Sequence, residues 1–165
     1  MREHKLEHTP GKLPNGLTSI PFFQGMDSET LETIVENTTI LDCEPGDRVV
    51  EEGEIDRTLF FLLKGSLRVI KDGTTIAAAR GGGAMLGELA LLNEAGKRSA
   101  TLVVEQAPCY VLKVDQGFLD GLTLETRNAY YAWLYRFLAN LLAERLERTS
   151  ELLAAAEKRL TEHGN

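Results

Sequence analysis

The stretch GELALLNEAGKRSAT, residues 87–101, decides how this chain is interpreted. It places a carboxylate, Glu88, and a guanidinium, Arg98, ten residues apart, with apolar helix formers between them. A carboxylate accepts a hydrogen bond from a sugar hydroxyl, whereas a planar guanidinium binds two phosphate oxygens at once. A short helix over residues 89–92 would point its free N–H groups at the same anion. The stretch therefore predicts a site for a ribose joined to a phosphate.

These residues resemble the phosphate-binding cassette of the cyclic nucleotide-binding domain family. The family pattern is Gly-Glu-(Leu/Ile)-Ala, a short variable loop, and then Arg-x-Ala-(Thr/Ser). The residues that match it, in order, are Gly87, Glu88, Leu89, Ala90, Arg98, Ala100 and Thr101. Leu86 stands where the family commonly has Phe, and Ser99 offers a hydroxyl beside the phosphate position. The resemblance implies that the ligand-binding residues are Gly87, Glu88, Leu89, Ala90, Arg98 and Ser99.

Composition limits the classes of function that are open to the chain. The formal net charge of −7 argues against a nucleic-acid surface, which needs clustered Lys and Arg. No apolar run is long enough to span a membrane, and no signal peptide is recognisable. Cys43 and Cys109 form no CxxC motif, so two buried thiols in a reducing compartment are expected rather than a disulfide. We therefore expect a cytoplasmic protein that contacts neither nucleic acid nor membrane.

The middle of the chain has the pattern of a β domain. From Ile40 onward, short β-prone runs at 58–63, 66–70, 75–79, 101–105 and 109–114 alternate with turn signals at 44–47, 52–54, 64–65, 71–74 and 107–108. The pair Asp72-Gly73 is a strong signal for a two-residue hairpin. About seven short strands at regular spacing favour an antiparallel β-barrel or double-stranded β-helix jelly roll. With flanking helices, the fold class is mainly β, within α+β.

Three segments are expected along the chain. Residues 1–16 are polar and rich in Pro and Gly, and are predicted to form a flexible N-terminal arm with His4 and His8 solvated. Residues 17–122 would form the cyclic nucleotide-binding barrel domain, which opens with a helix capped by Asp27 or Ser28. Residues 123–165 would form one long C-terminal helix, because no Pro or Gly interrupts 124–162.

The second half of the long helix carries an apolar seam. Its members are spaced four and three residues apart: Leu142, Leu146, Thr149, Leu153, Ala156 and Leu160. Such spacing is typical of a short coiled coil, so a homodimer through this helix is predicted. The alternative is that the whole helix folds back on the barrel.

The resemblance extends into this helix. In the cyclic-AMP-binding bacterial transcription activators of the family, the equivalent helix follows Ala-x-Arg-Leu-x-x-Thr-Ser-Glu, and residues 143–151 match that pattern. Carried over, Thr149 and Ser150 would bind the base, above an apolar wall at Leu67 and Val69. Those activators continue into a DNA-binding domain, for which residues up to 165 leave no room, so no transcription-factor role is expected unless the chain is a fragment.

The resemblance implies a regulatory sensor of a 3′,5′-cyclic mononucleotide. Cyclic AMP is favoured, and occupancy would move the long helix about a hinge near Gly117 and Gly121. In an empty site, water or Glu88 would have to balance the charge of Arg98. The alternatives are cyclic GMP as ligand, or a nucleotide-free dimerising or docking module. No nucleophile–base pair and no metal-ligand cluster is visible, so neither an enzyme nor a cofactor is expected, and no downstream partner is indicated.

Overall fold

The computed structural model of the chain describes residues 1–6, 16–92 and 95–163. It divides into two units, Met1–Thr123 and Leu124–Asn165. The described part of the first unit contains strands β1 (Arg2–Lys5), β2 (Thr38–Cys43), β3 (Arg48–Val50), β4 (Leu59–Lys71), β5 (Thr74–Arg80), β6 (Ala84–Leu86) and β7 (Thr101–Val114), with helices α1 (Ser28–Glu36) and α2 (Leu89–Leu92). The second unit is helix α3 (Leu124–His163).

The strands form one antiparallel sheet in the order β1-β2-β7-β4-β5, with β3 also paired to β7 and β6 to β4. The prediction of a mainly β fold with a long C-terminal helix is confirmed, but the sheet is not a closed barrel. The long strands β4 and β7 change partners along their length, since β4 pairs with β6 and then β5. Within the described residues, β1 and β5 are the two ends of the strand order and do not pair with each other.

The two predicted turns at 64–65 and 107–108 are not turns. Gly65 lies inside β4 with φ +92°, and Pro108 lies inside β7. A Cβ on Gly65 would lie 2.8 Å from the Pro108 carbonyl oxygen and 2.9 Å from Cys109 Cα. The β4–β7 register shifts on both sides of this contact. Gly and Pro mark the place where two long strands bend against each other, which explains why the sequence pattern resembles four short strands.

Buried apolar side chains of the strands form a hydrophobic cluster in the first unit. Its buried side chains include Leu41, Val50, Phe60, Leu62, Leu67, Leu102, Val104 and Val111. Helix α1 begins where expected, since the Asp27 carboxylate accepts from Thr30 N–H at 2.9 Å. Phe22 and Phe23 precede this helix, and their rings lie 5.2 and 5.0 Å from the ring of Phe61. These contacts attach the N-terminal helical segment to β4.

Two local predictions have different outcomes. The hairpin between β4 and β5 is confirmed, because Asp72 and Gly73 both have positive φ, 48° and 74°, as a type I′ turn requires. The loose arm is wrong for Arg2–Lys5, which forms β1 and pairs with β2, with Arg2 opposite Asp42. These four residues are all polar and exposed, so the sequence shows no apolar alternation that would predict the strand. Residues 7–15, including His8, lie outside the described residues.

Helix α3 is continuous over 40 residues, which confirms the predicted long helix. In its first part Tyr130, Leu134 and Leu138 are buried at four-residue spacing. From Ala143 to Glu162 every residue is exposed. No helix in the described part of the chain has the length and apolar character needed to cross a membrane.

Candidate ligand-binding site

The predicted cassette forms the connection from β6 to β7. Gly87 follows β6 with φ +82°, a conformation that favours glycine. A Cβ at this position would overlap Nη1 of Arg98 and lie 3.2 Å from the Thr58 carbonyl oxygen. Glycine is therefore required at position 87 for two reasons. It adopts the positive φ without strain, and it leaves room for the Arg98 guanidinium. Asn93 and Glu94, in the variable loop, lie outside the described residues.

A second loop, between β3 and β4, pairs with the end of the cassette. Gly53 N–H donates to Arg98 O at 2.9 Å, and Arg98 N–H donates to Glu54 O at 2.8 Å. One step further, Asp56 N–H donates to Gly96 O at 3.1 Å. This short antiparallel pairing places the Asp56 side chain beside the Arg98 side chain, although the two belong to different loops.

Arg98 is buried, with 2% of its side chain exposed, and its charge is balanced inside the protein. Nη2 lies 2.5 Å from the Asp56 carboxylate and donates to Thr58 O at 2.8 Å. Nη1 donates to Gly87 O at 3.0 Å. The guanidinium also lies over the Phe60 ring, 5.2 Å from its centroid, which is a cation–π contact. The carboxylate paired with Arg98 is thus Asp56, where the sequence suggested water or Glu88.

Asp56 is held in place by the residue two positions later. Its Oδ1 accepts from Thr58 N–H at 2.8 Å and from the Thr58 hydroxyl at 2.6 Å. Burial acts to raise the pKa of Asp56, but the hydrogen bonds from Thr58 and Arg98 and the charge of Arg98 outweigh it. The pKa of Asp56 is therefore below its usual value, and the group is a carboxylate at neutral pH.

The other predicted cassette residues differ in how far they are buried. Glu88 is 3% exposed and Ala90 2% exposed, whereas Leu89 is 42% exposed and Ser99 is half-buried. Within α2, Ala90 N–H donates to Gly87 O at 3.2 Å and Leu91 N–H to Glu88 O at 3.0 Å. These two N–H groups are used inside the turn, so the expectation that this segment points free N–H groups at a ligand does not hold for them.

Two N–H groups of Arg98 make no hydrogen bond with the described residues, and one of them is the Nε–H. A guanidinium has five N–H groups, and the hydrogen bonds to Gly87, Asp56 and Thr58 use three of them. The buried Nε–H has no hydrogen-bond partner. A buried donor without a partner is costly, so the atom is suited to an anionic oxygen supplied from outside. The site can thus offer a cation to a compact anion, and the same cassette contains the buried Glu88.

Comparison with known proteins identifies this arrangement. A family profile for the cyclic nucleotide-binding domain matches residues 40–125, more than half of the chain and including the whole cassette. The chain belongs to this family. The residues that match the cyclic nucleotide-binding domain extend from β2 to the first turn of α3.

Two curated relatives show how much of longer proteins this domain represents. The cAMP-dependent protein kinase regulatory subunit of Yarrowia lipolytica is 29% identical over 117 residues, 68% of this chain and 30% of that protein. The cyclic nucleotide-gated channel alpha-4 of Mus musculus is 29% identical over 104 residues, 57% of this chain and 18% of that protein. The chain thus spans less than a third of the length of either relative.

Solved structures share the fold of the domain. The catabolite activator protein of Thermus thermophilus is similar with a TM-score of 0.61 and 22% identity, over 83% of this chain and 63% of that one. A cyclic nucleotide-binding domain from Methylobacillus flagellatus has a TM-score of 0.63 and 23% identity, over 80% of this chain and 77% of that one. These likenesses agree with the observed open sheet followed by a long helix.

The residues predicted to surround the base belong to β4 and α3. Thr149 and Ser150 are exposed on α3, and the Thr149 hydroxyl donates to Arg145 O at 2.8 Å. Leu67 is fully buried, and Val69 is partly buried against the same core. The binding role of all of these residues stays a prediction. Among the described residues, no group of three or more His, Cys, Asp or Glu side chains is arranged to hold a metal ion.

Sequence reasoning missed Asp56 and Thr58. The local part of their arrangement has a sequence signal, because Asp followed two residues later by Thr is typical of an Asx turn. The long-range part has none, since nothing in residues 52–58 indicates a contact with a residue 42 positions further along. Only the pairing of the two loops brings the carboxylate to Arg98.

Proposed function

We propose that this domain binds a 3′,5′-cyclic mononucleotide at the cassette and acts as a regulatory sensor, with cyclic AMP as its preferred ligand. The observation that carries the proposal is the buried Arg98 guanidinium, whose Nε–H has no partner, in a cassette of the matching family that also contains the buried Glu88. An anionic phosphate oxygen satisfies that donor. A ribose hydroxyl gives Glu88 a neutral donor and separates its charge from the phosphate.

The preference for cyclic AMP rests on two supports. Ser99 follows Arg98 directly, whereas domains of this family that prefer cyclic GMP often have Thr at that position. The Yarrowia relative is also named for cyclic AMP. The base would lie against the apolar residues Leu67 and Val69, and Gly87, Leu89, Ala90 and Ser99 would border the phosphate.

Calorimetric titration with cyclic AMP and cyclic GMP tests this function. Arg98→Ala is expected to weaken binding by about 2–5 kcal/mol, since it removes one side of a buried charge contact. Arg98→Lys is also expected to bind weakly, because an ammonium cannot reproduce the planar fork. Arg48→Lys is the matched control, since that arginine is 61% exposed and pairs with Glu51. Equal affinity in wild type and both Arg98 variants would remove Arg98 from the site.

The ribose contact is tested with 2′-deoxy cyclic AMP. Wild type is expected to bind it more weakly than cyclic AMP, and Glu88→Gln is expected to reduce that difference, because a carboxylate accepts more strongly than an amide. If wild type binds both ligands equally, Glu88 does not contact the ribose. Absence of binding by either cyclic nucleotide would instead favour a nucleotide-free docking module.

The signal would leave the domain through α3. We propose a homodimer in which the exposed second half of α3 pairs with a second copy, since Leu146, Leu153 and Leu160 are 69%, 60% and 75% exposed. In such a dimer Thr149 and Ser150 would contact the base, and occupancy would shift the helix about Gly117 and Gly121. We also propose a non-enzymatic role and a cytoplasmic location, the latter because both thiols are free.

A further inference from the structure

The β4–β5 hairpin carries a local charge opposite to that of the chain. Residues 64–80 contain Lys64, Arg68, Lys71 and Arg80 but only one carboxylate, Asp72, whereas the chain as a whole has a formal charge of −7. A basic segment in an acidic protein creates a local field that attracts anionic groups at short range. This concentration of charge is not part of the cassette.

Three of these cations share one face of the sheet. Arg80 pairs directly with Ser66 across β4 and β5, and Arg68 follows Ser66 by two residues on β4, so their side chains point to the same side. Lys64 and Arg80 line one groove of about 350 Å³, together with Ser66, Glu105 and Gln106. We call the surface formed by Lys64, Ser66, Arg68 and Arg80 the basic face.

The cations of the basic face form no direct ion pair with a described carboxylate, and Glu105, which lines the groove, accepts a hydrogen bond from Ser66 at 3.2 Å. The side chains of Lys64, Arg68 and Arg80 make no ion pair or hydrogen bond with any residue in the described ranges. Arg68 is partly buried, and its Nε is a buried donor without a partner. In contrast, Arg48 and Lys113, on neighbouring strands, pair with Glu51 and Glu3. The basic face therefore has unused capacity for carboxylates.

We propose that the basic face docks an extended segment of another protein with acidic residues at alternate positions. The Ser66–Arg80 pair and Arg68 lie in rows two residues apart along β4, a distance of about 7 Å, and Lys64, on the other side of Gly65, lines the same groove as Arg80. Side chains on one side of an extended peptide have the same spacing, so successive carboxylates would meet successive cations. The groove at the Arg80 end provides room for the first of them. This inference does not depend on nucleotide binding.

A peptide fits this surface better than the other large anions. DNA and anionic membranes present many charges over a wide area, and the net charge of −7 opposes their approach. A single extended peptide needs only the few cations of the basic face. Since β5 ends the strand order and Ile76 is 60% exposed, an extended chain can also approach this edge of the sheet.

Fluorescence anisotropy with a labelled (Thr-Glu)4 peptide tests the proposal on the full chain, at a low salt concentration of about 0.05 M. The peptide (Thr-Gln)4 is the uncharged comparison. Arg80→Glu and Arg68→Glu are each expected to weaken binding of the acidic peptide by about tenfold or more. Lys113→Glu changes the charge by the same amount at the other end of β7 and is expected to change binding less than about twofold. Thermal unfolding of each variant shows whether it is folded. If Arg80→Glu does not fold, Arg80→Gln, which removes the charge without reversing it, is measured in its place.

Four results would overturn the proposal. The first is no binding of the acidic peptide by wild type, and the second is equal binding of (Thr-Gln)4. The third is an equal loss in Lys113→Glu, which would mean that net charge rather than the basic face is responsible. The fourth is binding of duplex DNA or phosphatidylserine vesicles with the same dependence on Arg80, which would make the face a general anion surface.

Discussion

The Arg98 guanidinium lies 2.5 Å from the Asp56 carboxylate, although the two residues are 42 positions apart in the sequence. Arg98 is almost completely buried, while 36% of the Asp56 side chain is exposed. A buried cation without a counter-charge is strongly unfavourable, so Asp56 makes the burial of Arg98 possible. Because Asp56 and the proposed phosphate both interact with one guanidinium, stability and ligand binding depend on the same side chain.

Asp56→Asn is expected to destabilise the domain by about 1–3 kcal/mol. The value is below that for a fully buried pair because Asp56 is partly exposed to water. Urea unfolding at pH 7 measures the loss, and Asp120→Asn, at an exposed acidic position, is the control. A loss no larger than that of the control would show that Asp56 does not stabilise Arg98.

The stabilisation by Asp56 should also depend on pH. Its pKa is lowered in the folded state, so its contribution is complete above the unfolded pKa of about 3.9 and disappears as the pH falls through the lower folded value. The stability difference between wild type and Asp56→Asn is therefore expected to be constant from pH 7 to about pH 5 and to shrink below about pH 4. A difference that grows on acidification would contradict the lowered pKa.

Gly87→Ala is expected to lose both stability and ligand affinity. The new Cβ would overlap Arg98 Nη1, and alanine at φ +82° is strained, at a cost of about 1–3 kcal/mol. Gly46→Ala separates the two effects, since Gly46 has φ +91° with no atom within 4 Å of the added Cβ. Calorimetry should show that only the Gly87 variant loses affinity for the cyclic nucleotide. Equal affinities in the two variants would show that the Gly87–Arg98 contact is unimportant for binding.

Cys43 and Cys109 are expected to be unreactive in the folded protein. They lie opposite each other on β2 and β7 and are 2% and 0% exposed. Burial, and then the neighbouring Cys109, raise the pKa of Cys43 to about 12, so almost none of the reactive thiolate exists near pH 8. Titration with an aromatic disulfide reagent should detect no thiol in the native state and both after denaturation. Rapid native reaction would mean that this part of the sheet opens readily.

Sequence reasoning succeeds where a feature depends on neighbouring residues. The Asp72-Gly73 hairpin, the Asp27 cap and the long helix are all predictable, because each depends on residues close together in the sequence. Their signals are local backbone conformations or helical spacing, which individual residue types report directly.

What the sequence does not predict depends on contacts between distant segments. The bend at Gly65 and Pro108 resembles two turns because its cause is the packing of β4 against β7. The pairing of Asp56 with Arg98 depends on two loops that meet only in the folded chain. Strand β1 escapes prediction because a strand with both faces exposed has no apolar alternation.

Helix α3 is predicted to form the dimer interface through its seam. Replacing Leu146 and Leu153 by Glu places charges in the seam and should give a monomer at micromolar concentration by light scattering. Leu152→Glu is the control, because Leu152 is also exposed, at 64%, but lies outside the seam. A monomeric wild type would refute the dimer, and dissociation by Leu152→Glu as well would place the interface elsewhere on the helix.

Thr149 and Ser150 are predicted to bind the base and so to link the ligand to the dimer helix. Both are exposed on α3, and the Thr149 hydroxyl, which donates to Arg145 O at 2.8 Å, can turn toward a ligand at the cost of that bond. The double change to Ala should weaken cyclic AMP binding by about 1–3 kcal/mol, the effect of two lost hydrogen bonds. Cyclic inosine monophosphate, which lacks the base amino group, should be nearly unaffected, and by linkage the variant should lose any stabilisation of the dimer by ligand. Titrations of both ligands into wild type and variant measure this. Equal losses would mean that the amino group is not recognised, and no loss would place the base against Leu67 and Val69 alone.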